Sequence, residues 1–387
     1  MTEEAKLTVF IPKELEEGET RVAATPETVK TMLQHHIEVH LEAGSGENSY
    51  YPDEEYKNAG AIISHDANKL YSIADIILSI NPPTHHQIPH LKQKSCWISF
   101  VDASSSFEII PKLIEKNITC FSMNLIPRIS RAQKMDALTS QANIGGYKAV
   151  IMAANEIGKI FPLMMTAAGT MHPAKVVILG AGVAGLQAIA TAKRLGAIVE
   201  ASDVRPSVKE QVESLGGKFI EVPFDKDAED KGGYAKQASP EFLKRQAEEV
   251  SKRVNQADAV ICTALVPGKK APILVTEAMV KSMRPGSVIV DMAAVQGGNC
   301  ELTEPGETTL KHGVTIIGVK NIPATVQVHA TQMYSKNILA LLLNIVREGK
   351  LHIHLDDEII AGSLVTHEGK IINENLAKEF QKLKGDL

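Results

Sequence analysis

Long apolar runs are missing from this chain: the longest, Ile338-Leu-Ala-Leu-Leu-Leu343, stops at Asn344, far short of the roughly 20 residues that a membrane span requires. A basic excess is missing too. Forty-one Lys and Arg stand against 46 Asp and Glu, a net charge of −5, so no positive field gathers phosphate backbones or anionic lipid. Nucleic acid and direct membrane insertion are thereby disfavoured, and the expected partners are small molecules or proteins. Cysteine is scarce: Cys96, Cys120, Cys262 and Cys300 lie far apart with no CxxC, the pattern of reduced, buried thiols in a cytoplasmic protein. The histidines at 35–36, 85–86, 90, 312, 329, 352 and 354 follow neither HExxH nor paired Cys/His spacing, so no metal is expected. Met1-Thr-Glu-Glu-Ala-Lys6 has no apolar or Arg-rich stretch, and neither a signal nor a transit peptide is expected.

What the sequence does hold is 387 residues that are 44% hydrophobic and 22% charged, enough for two ordinary α/β domains. Short apolar runs alternate with helical patterns: Leu7 to Ile11, Ile37 to Leu41, Ala61 to Ser64, Ala74 to Ile80, Cys96 to Val101 and Ile118 to Met123. A second series follows at Lys175 to Leu179, Ile198 to Asp203, Lys218 to Val222, Ala259 to Thr263, Ser287 to Met292 and Val314 to Val319. This rhythm predicts two doubly wound parallel-sheet (Rossmann-like) domains joined by connector helices, with a cleft between them. The boundaries are drawn at 1–140 plus 330–387 for the first domain and 141–329 for the second. Ser130 to Ile160 reads as a connector helix broken near Gly145-Gly146, and Met333 to Arg347 as a helix returning to the first domain, with 350–387 as a small appendage.

The most informative stretch runs from Lys175 to Asp203: an apolar strand, Gly180-Ala-Gly182-Val-Ala-Gly185, an amphipathic helix, and a second strand closed by an acid. Gly180 allows the tight turn, Gly182 lets backbone approach a pyrophosphate, and Gly185 lets the helix lie close to the strand. Asp203 is spaced to accept hydrogen bonds from a ribose diol and to repel a 2′-phosphate, which points to NAD(H) rather than NADP(H). A glycine turn of this spacing also serves ordinary packing loops, but here strand, helix and acid agree. Arg205, two residues on, either pairs with a carboxylate or greets a 2′-phosphate; pairing is the simpler reading.

Two loops stand apart. Asp225 to Gln237 is polar and carries Gly232-Gly233-Tyr234-Ala-Lys236, read as a flap or else as a surface hairpin. The segment Arg128-Ile-Ser-Arg131-Ala-Gln133-Lys-Met-Asp136-Ala-Leu-Thr139 places arginines at a helix start, where the macrodipole gives them nothing, so an anionic or amide-like ligand is expected there.

Taken together and in order, the Pro127 to Gln141 segment, the Gly180 turn and its helix, Asp203-Val-Arg-Pro206 and the Tyr234 loop closely resemble the NAD(H)-binding domain of proton-translocating nicotinamide nucleotide transhydrogenase. The resemblance spans essentially the whole chain. It implies that Arg128, Gln133, Asp136 and Thr139, the last where the family carries serine, meet the nicotinamide end. It implies that Gly180, Gly182, Val183, Gly185, Asp203, Val204, Arg205, Ala264 and Leu265 hold the rest of the coenzyme, and that Tyr234 closes over it. It further implies a homodimer that passes hydride between its own NAD(H) and NADP(H) on a partner domain. A membrane domain completes the assembly, and the chain would sit in the bacterial cytoplasm, held peripherally at the inner membrane through those partners.

Alanine dehydrogenase shares the resemblance and is the alternative reading. Arg21 resembles the arginine that such enzymes place on the substrate carboxylate. Yet Ser79-Ile-Asn81-Pro82-Pro83 stands where they carry Val-Lys-Glu-Pro, Phe100-Val-Asp102 where they carry a histidine, and Val295 where they carry the catalytic carboxylate. Oxidising an amino acid needs a proton acceptor, whereas transfer between two nicotinamides needs only alignment and exclusion of water. Arg21 therefore reads as a structural ion-pair or interface residue. An NAD-binding regulatory module without its own reaction is the remaining alternative.

Overall fold

The computed structural model describes residues 6–101, 106–221, 240–265 and 270–385. The chain forms two compact units, one from Met1–Gln141 with Ala324–Leu387 and one from Ala142–Pro323.

In the first unit, β1 (Leu7–Ile11), β2 (Ile37–Glu42), β3 (Ile62–Ser64), β4 (Ile76–Leu78), β5 (Cys96–Ser99) and β6 (Thr119–Ser122) form a parallel run in the order β3-β2-β1-β4-β5-β6. The 350–387 tail is not an appendage. Its strand Leu364–His367 pairs antiparallel with β6, and Lys370–Ile371 closes that edge. Leu364 and Val365 are both fully buried, on opposite faces of the sheet, so the tail completes both layers of the core. The same alternation runs through β1, where Val9 and Ile11 face one core and Phe10 the other.

In the second unit, β7 (Met164–Thr166) and β8 (Gly169–Met171) form a separate hairpin, absent from the strand series expected from the sequence. The main sheet holds β9 (Lys175–Leu179), β10 (Ile198–Ser202), β11 (Lys218–Phe219), β12 (Ala259–Cys262), β13 (Val288–Asp291), β14 (Thr308–Lys311) and β15 (Val314–Ile317). Their order is β11-β10-β9-β12-β13-β15-β14, parallel except for β14. The chain winds out from β9 in both directions, and the carboxyl end of such a central strand is where doubly wound sheets take ligands.

The helix Ala137–Glu156 is continuous through Gly145 and Gly146, which corrects the expected break. The glycines serve packing: a Cβ on Gly146 would lie 2.1 Å from the carbonyl oxygen of Ala184, and one on Gly145 would lie 2.8 Å from Met292 Cε. The loss of helix propensity is offset by close approach of two backbones. Residues Ser130–Met135 form a 3-10 turn, not part of that helix. The later helix is longer than expected, Gln327–Ile345, with Tyr334, Ile338, Leu341, Leu342 and Ile345 fully buried along it.

Candidate functional site

The three strands at the centre of the second unit end level with one another. Ser202 of β10 pairs with Leu179 of β9, which pairs with Cys262 of β12, so Gly180, Asp203 and Thr263 follow side by side. Gly180 turns at φ +100°, a left-handed conformation that glycine adopts freely. A Cβ there would meet Thr263 Oγ1 at 2.6 Å, and that hydroxyl donates to the Gly180 carbonyl at 2.9 Å. Gly185 sits under the same carbonyl, 1.9 Å from where its own Cβ would lie.

Gly182 differs. A Cβ there would find only Arg205 Nη2, at 3.9 Å, so backbone faces open space. Gly182 also starts the helix Val183–Arg194 with no side-chain cap, which leaves the first N–H groups of the helix available to an anion. A dinucleotide pyrophosphate fits these residues.

Asp203 is drawn into the turn. Its Oδ2 accepts from the Ala181 N–H at 2.7 Å and from Arg205 Nη2 at 3.0 Å; its Oδ1 accepts from the Arg205 backbone N–H and from Arg205 Nε, both at 2.9 Å. Arg205 thus pairs with a carboxylate, as its simpler reading held, but the partner is Asp203 itself. Val183 and Val204 are half-buried beside this turn, and Leu265 is exposed. Ala264 is held by a residue absent from the expected site. Asn299, fully buried, accepts from the Ala264 N–H at 3.0 Å and donates to the carbonyls of Ala264 and Pro272, both at 2.8 Å. Its one local signal in the sequence is the Gly297-Gly298 pair ahead of it. Tyr234 lies outside the described residues.

The other predicted residues belong to the first unit. Arg128, just ahead of the Ser130–Met135 turn, and Gln133, within it, are both exposed. Asp136 and Thr139 are brought together: Asp136 accepts from the Thr139 backbone N–H at 2.8 Å and from its hydroxyl at 2.6 Å, capping the helix Ala137–Glu156. The segment is braced from behind. Asn337 donates to the Lys134 carbonyl at 2.9 Å and accepts from Ser140 at 2.6 Å, and the Arg131 fork meets Asp357 with two contacts of 3.0 Å.

A second polar cluster lies at the carboxyl end of β4. Glu14 accepts from Ser79 Oγ at 2.9 Å, Ile80 N–H at 2.6 Å and Asn81 Nδ2 at 3.1 Å. Arg21 gives Nε and Nη2 to Glu19 at 2.8 and 2.6 Å and Nη1 to Gln141 at 2.9 Å. Burial, reinforced by the charge of Glu19, pushes the Glu14 carboxyl up to about 7 from an ordinary 4.5, against the pull of its hydrogen bonds. The folded chain keeps this proton up to about pH 7 while the unfolded chain loses it near 4.5, so the folded state binds more protons in between and stability falls as pH rises through that window. Glu14→Gln should flatten the dependence of the melting temperature on pH between these values and raise it above pH 7; an unchanged slope in thermal scans would refute the assignment.

Burial also raises the thiols of Cys96, Cys120 and Cys262, which keeps them protonated and unreactive. Among the described residues no cluster of His, Cys, Asp or Glu could hold a metal ion, and no helix is long and apolar enough to cross a membrane.

The doubly wound sheet, the glycine turn at its switch point and the acid on the neighbouring strand define a dinucleotide-binding class of α/β protein. The chain belongs to the alanine dehydrogenase/PNT family: residues 10–145 match the family's N-terminal domain and residues 149–374 its C-terminal domain. It is similar to the first of the polypeptides that make up NAD(P) transhydrogenase subunit alpha in Rhodospirillum rubrum, with 46% identity over 377 residues, covering 95% of this chain and 98% of the relative. A solved structure described as transhydrogenase from Sinorhizobium meliloti superposes with a TM-score of 0.86 at 43% identity, over 94% of this chain and all of that one. Alanine dehydrogenase of Methanococcus maripaludis is a more distant relative, 29% identical over 378 residues and covering 96% of this chain and 95% of the relative.

Proposed function

We propose that this chain is the NAD(H)-binding component of a proton-translocating transhydrogenase, and that hydride passes directly between its coenzyme and NADP(H) held by a partner domain. The observation that carries the coenzyme assignment is the pairing of an open Gly182 backbone with a carboxylate, Asp203, at the end of the adjacent strand. When bound, the coenzyme supplies a nicotinamide ring that gives or takes hydride. The chain's residues supply position. Gly180, Gly182 and the first N–H groups of the helix Val183–Arg194 would hold the pyrophosphate, with Val183 beside it. Asp203 and Val204 would hold the adenosine ribose, and Ala264 and Leu265 the floor set by Asn299. Arg128, Gln133, Asp136 and Thr139 would orient the nicotinamide end, and Tyr234 would close over it. No proton has to move in such a transfer, so alignment and exclusion of water are sufficient.

Three residues speak against an alanine-dehydrogenase reaction. Val295, in place of a catalytic acid, is 57% exposed; Asn81 is tied to Glu14; and the fork of Arg21 is filled by Glu19 and Gln141. The partners of the proposal are the NADP(H)-binding domain, a membrane domain that places the chain peripherally at the cytoplasmic face of a bacterial inner membrane, and a second copy of this chain.

The hairpin β7–β8 supports the homodimer. Every residue in its two strands is exposed, with Met165 at 73%, next to Leu163, Met164 and Met171. A two-stranded hairpin is marginal in water, and an apolar one is expected to be covered. Met165→Lys with Met171→Lys should shift the chain from dimer to monomer in sedimentation; a monomeric wild-type chain would remove the homodimer. Isothermal titration tests the coenzyme assignment: NADH binds and NADPH binds poorly. Equal affinity for both would contradict it.

A further inference from the structure

The carboxylate that selects the coenzyme is fully engaged. A carboxylate has about four lone-pair sites, and Asp203 uses four, three of them on Arg205 and one on the Ala181 N–H. The Arg205 guanidinium lies over the glycine turn, 3.9 Å from the Cβ position of Gly182, and both side chains are largely buried, with Arg205 18% and Asp203 7% exposed. A planar fork beside the ribose end of a dinucleotide turn is the group that a 2′-phosphate needs, because two parallel N–H donors match its oxygens. Here the fork faces inward onto a negative charge two residues away.

We infer that Arg205 is a ready-made anchor for the 2′-phosphate of NADP(H), held out of use by Asp203, so that coenzyme choice rests on this ion pair and not on the acid alone. The inference rests on the dinucleotide reading of the glycine turn. The carboxylate acts twice: it repels a 2′-phosphate, and it occupies the arginine that would receive one. Neutralising Asp203 undoes both. Asp203→Asn keeps an oxygen for the Ala181 N–H, and Asp203→Ser clears the space beside the ribose, so between them a folding defect in one variant does not decide the outcome.

The test is NADH and NADPH titration of the full chain as wild type, Asp203→Asn, Asp203→Ser, and each of these combined with Arg205→Gln. NADPH affinity should rise about tenfold to hundredfold when the acid is neutralised, and that gain should vanish when Arg205 is also replaced. A gain that survives Arg205→Gln, or no gain in either Asp203 variant, overturns the inference while leaving the coenzyme reading in place. A wild-type chain that binds no NADH fails the coenzyme reading itself.

Discussion

Gly182→Ala should leave the fold intact and remove NADH binding, whereas Gly185→Ala should damage both. The two glycines are three residues apart in one turn, yet their surroundings differ. Gly182 has φ −77°, which any residue can adopt, and its Cβ would reach only Arg205 Nη2 at 3.9 Å. A methyl group there meets no protein, but it stands where a pyrophosphate must approach backbone. Gly185 would place its Cβ 1.9 Å from the Gly180 carbonyl oxygen and 3.1 Å from Thr263 Oγ1, so strand and helix must separate. Overpacking of this kind typically costs about 1–3 kcal/mol, and backbone on both sides leaves little room to relax. Gly146→Ala should behave like Gly185→Ala, because its Cβ would fall 2.1 Å from the Ala184 carbonyl. Thermal unfolding separates the cases: Gly182→Ala melts with the wild type and loses at least about tenfold in NADH affinity, an energy of ~1.4 kcal/mol. A Gly185→Ala chain as stable as wild type would show that the close packing of this turn is wrong.

Gln133→Ala should slow hydride transfer in the reconstituted complex by about a hundredfold while leaving NADH affinity within a fewfold. Displacing a reacting group by about 1 Å costs a factor of this order, and transfer between two rings depends on position alone. Gln133 is exposed, so its removal should not unsettle the fold. Asp136 requires a more careful comparison because it also caps the helix Ala137–Glu156 through the Thr139 N–H. Loss of such a cap costs about 1 kcal/mol, and asparagine caps as well as aspartate. Asp136→Asn should therefore keep the melting temperature and lose turnover, while Asp136→Ala loses some of both. Equal turnover in wild type and Gln133→Ala would remove this segment from the reaction and favour a regulatory role.

The central strand, turn and helix of the second unit are readable in the sequence because their signals are local. An apolar run, three spaced glycines and a terminal acid all fall between Lys175 and Asp203. The features that escape depend on distant partners. Gly145-Gly146 looks like a helix break in isolation, and only the carbonyl of Ala184 explains why the helix continues through it. The tail strand Leu364–His367 pairs with β6 across the whole second unit in sequence, and no local pattern announces an antiparallel return. Asn299 and Glu14 are ordinary polar residues until Ala264 and the Ser79–Asn81 strand end are brought to them. Arg205 is legible as a pairing residue, but the choice of Asp203 as its partner follows from the tight turn that also presents the Ala181 N–H.

The central claim is that this chain holds one nicotinamide coenzyme and presents it to another on a neighbour. The direct measurement mixes the purified chain with an NADP(H)-binding transhydrogenase domain and follows reduction of an NAD analogue by NADPH, with alanine and NAD⁺ supplied to the chain alone as the comparison. The account predicts turnover in the mixture, none from either protein separately, and none with alanine. Oxidation of alanine by the isolated chain, or an inert mixture in which both coenzymes are bound, would contradict it.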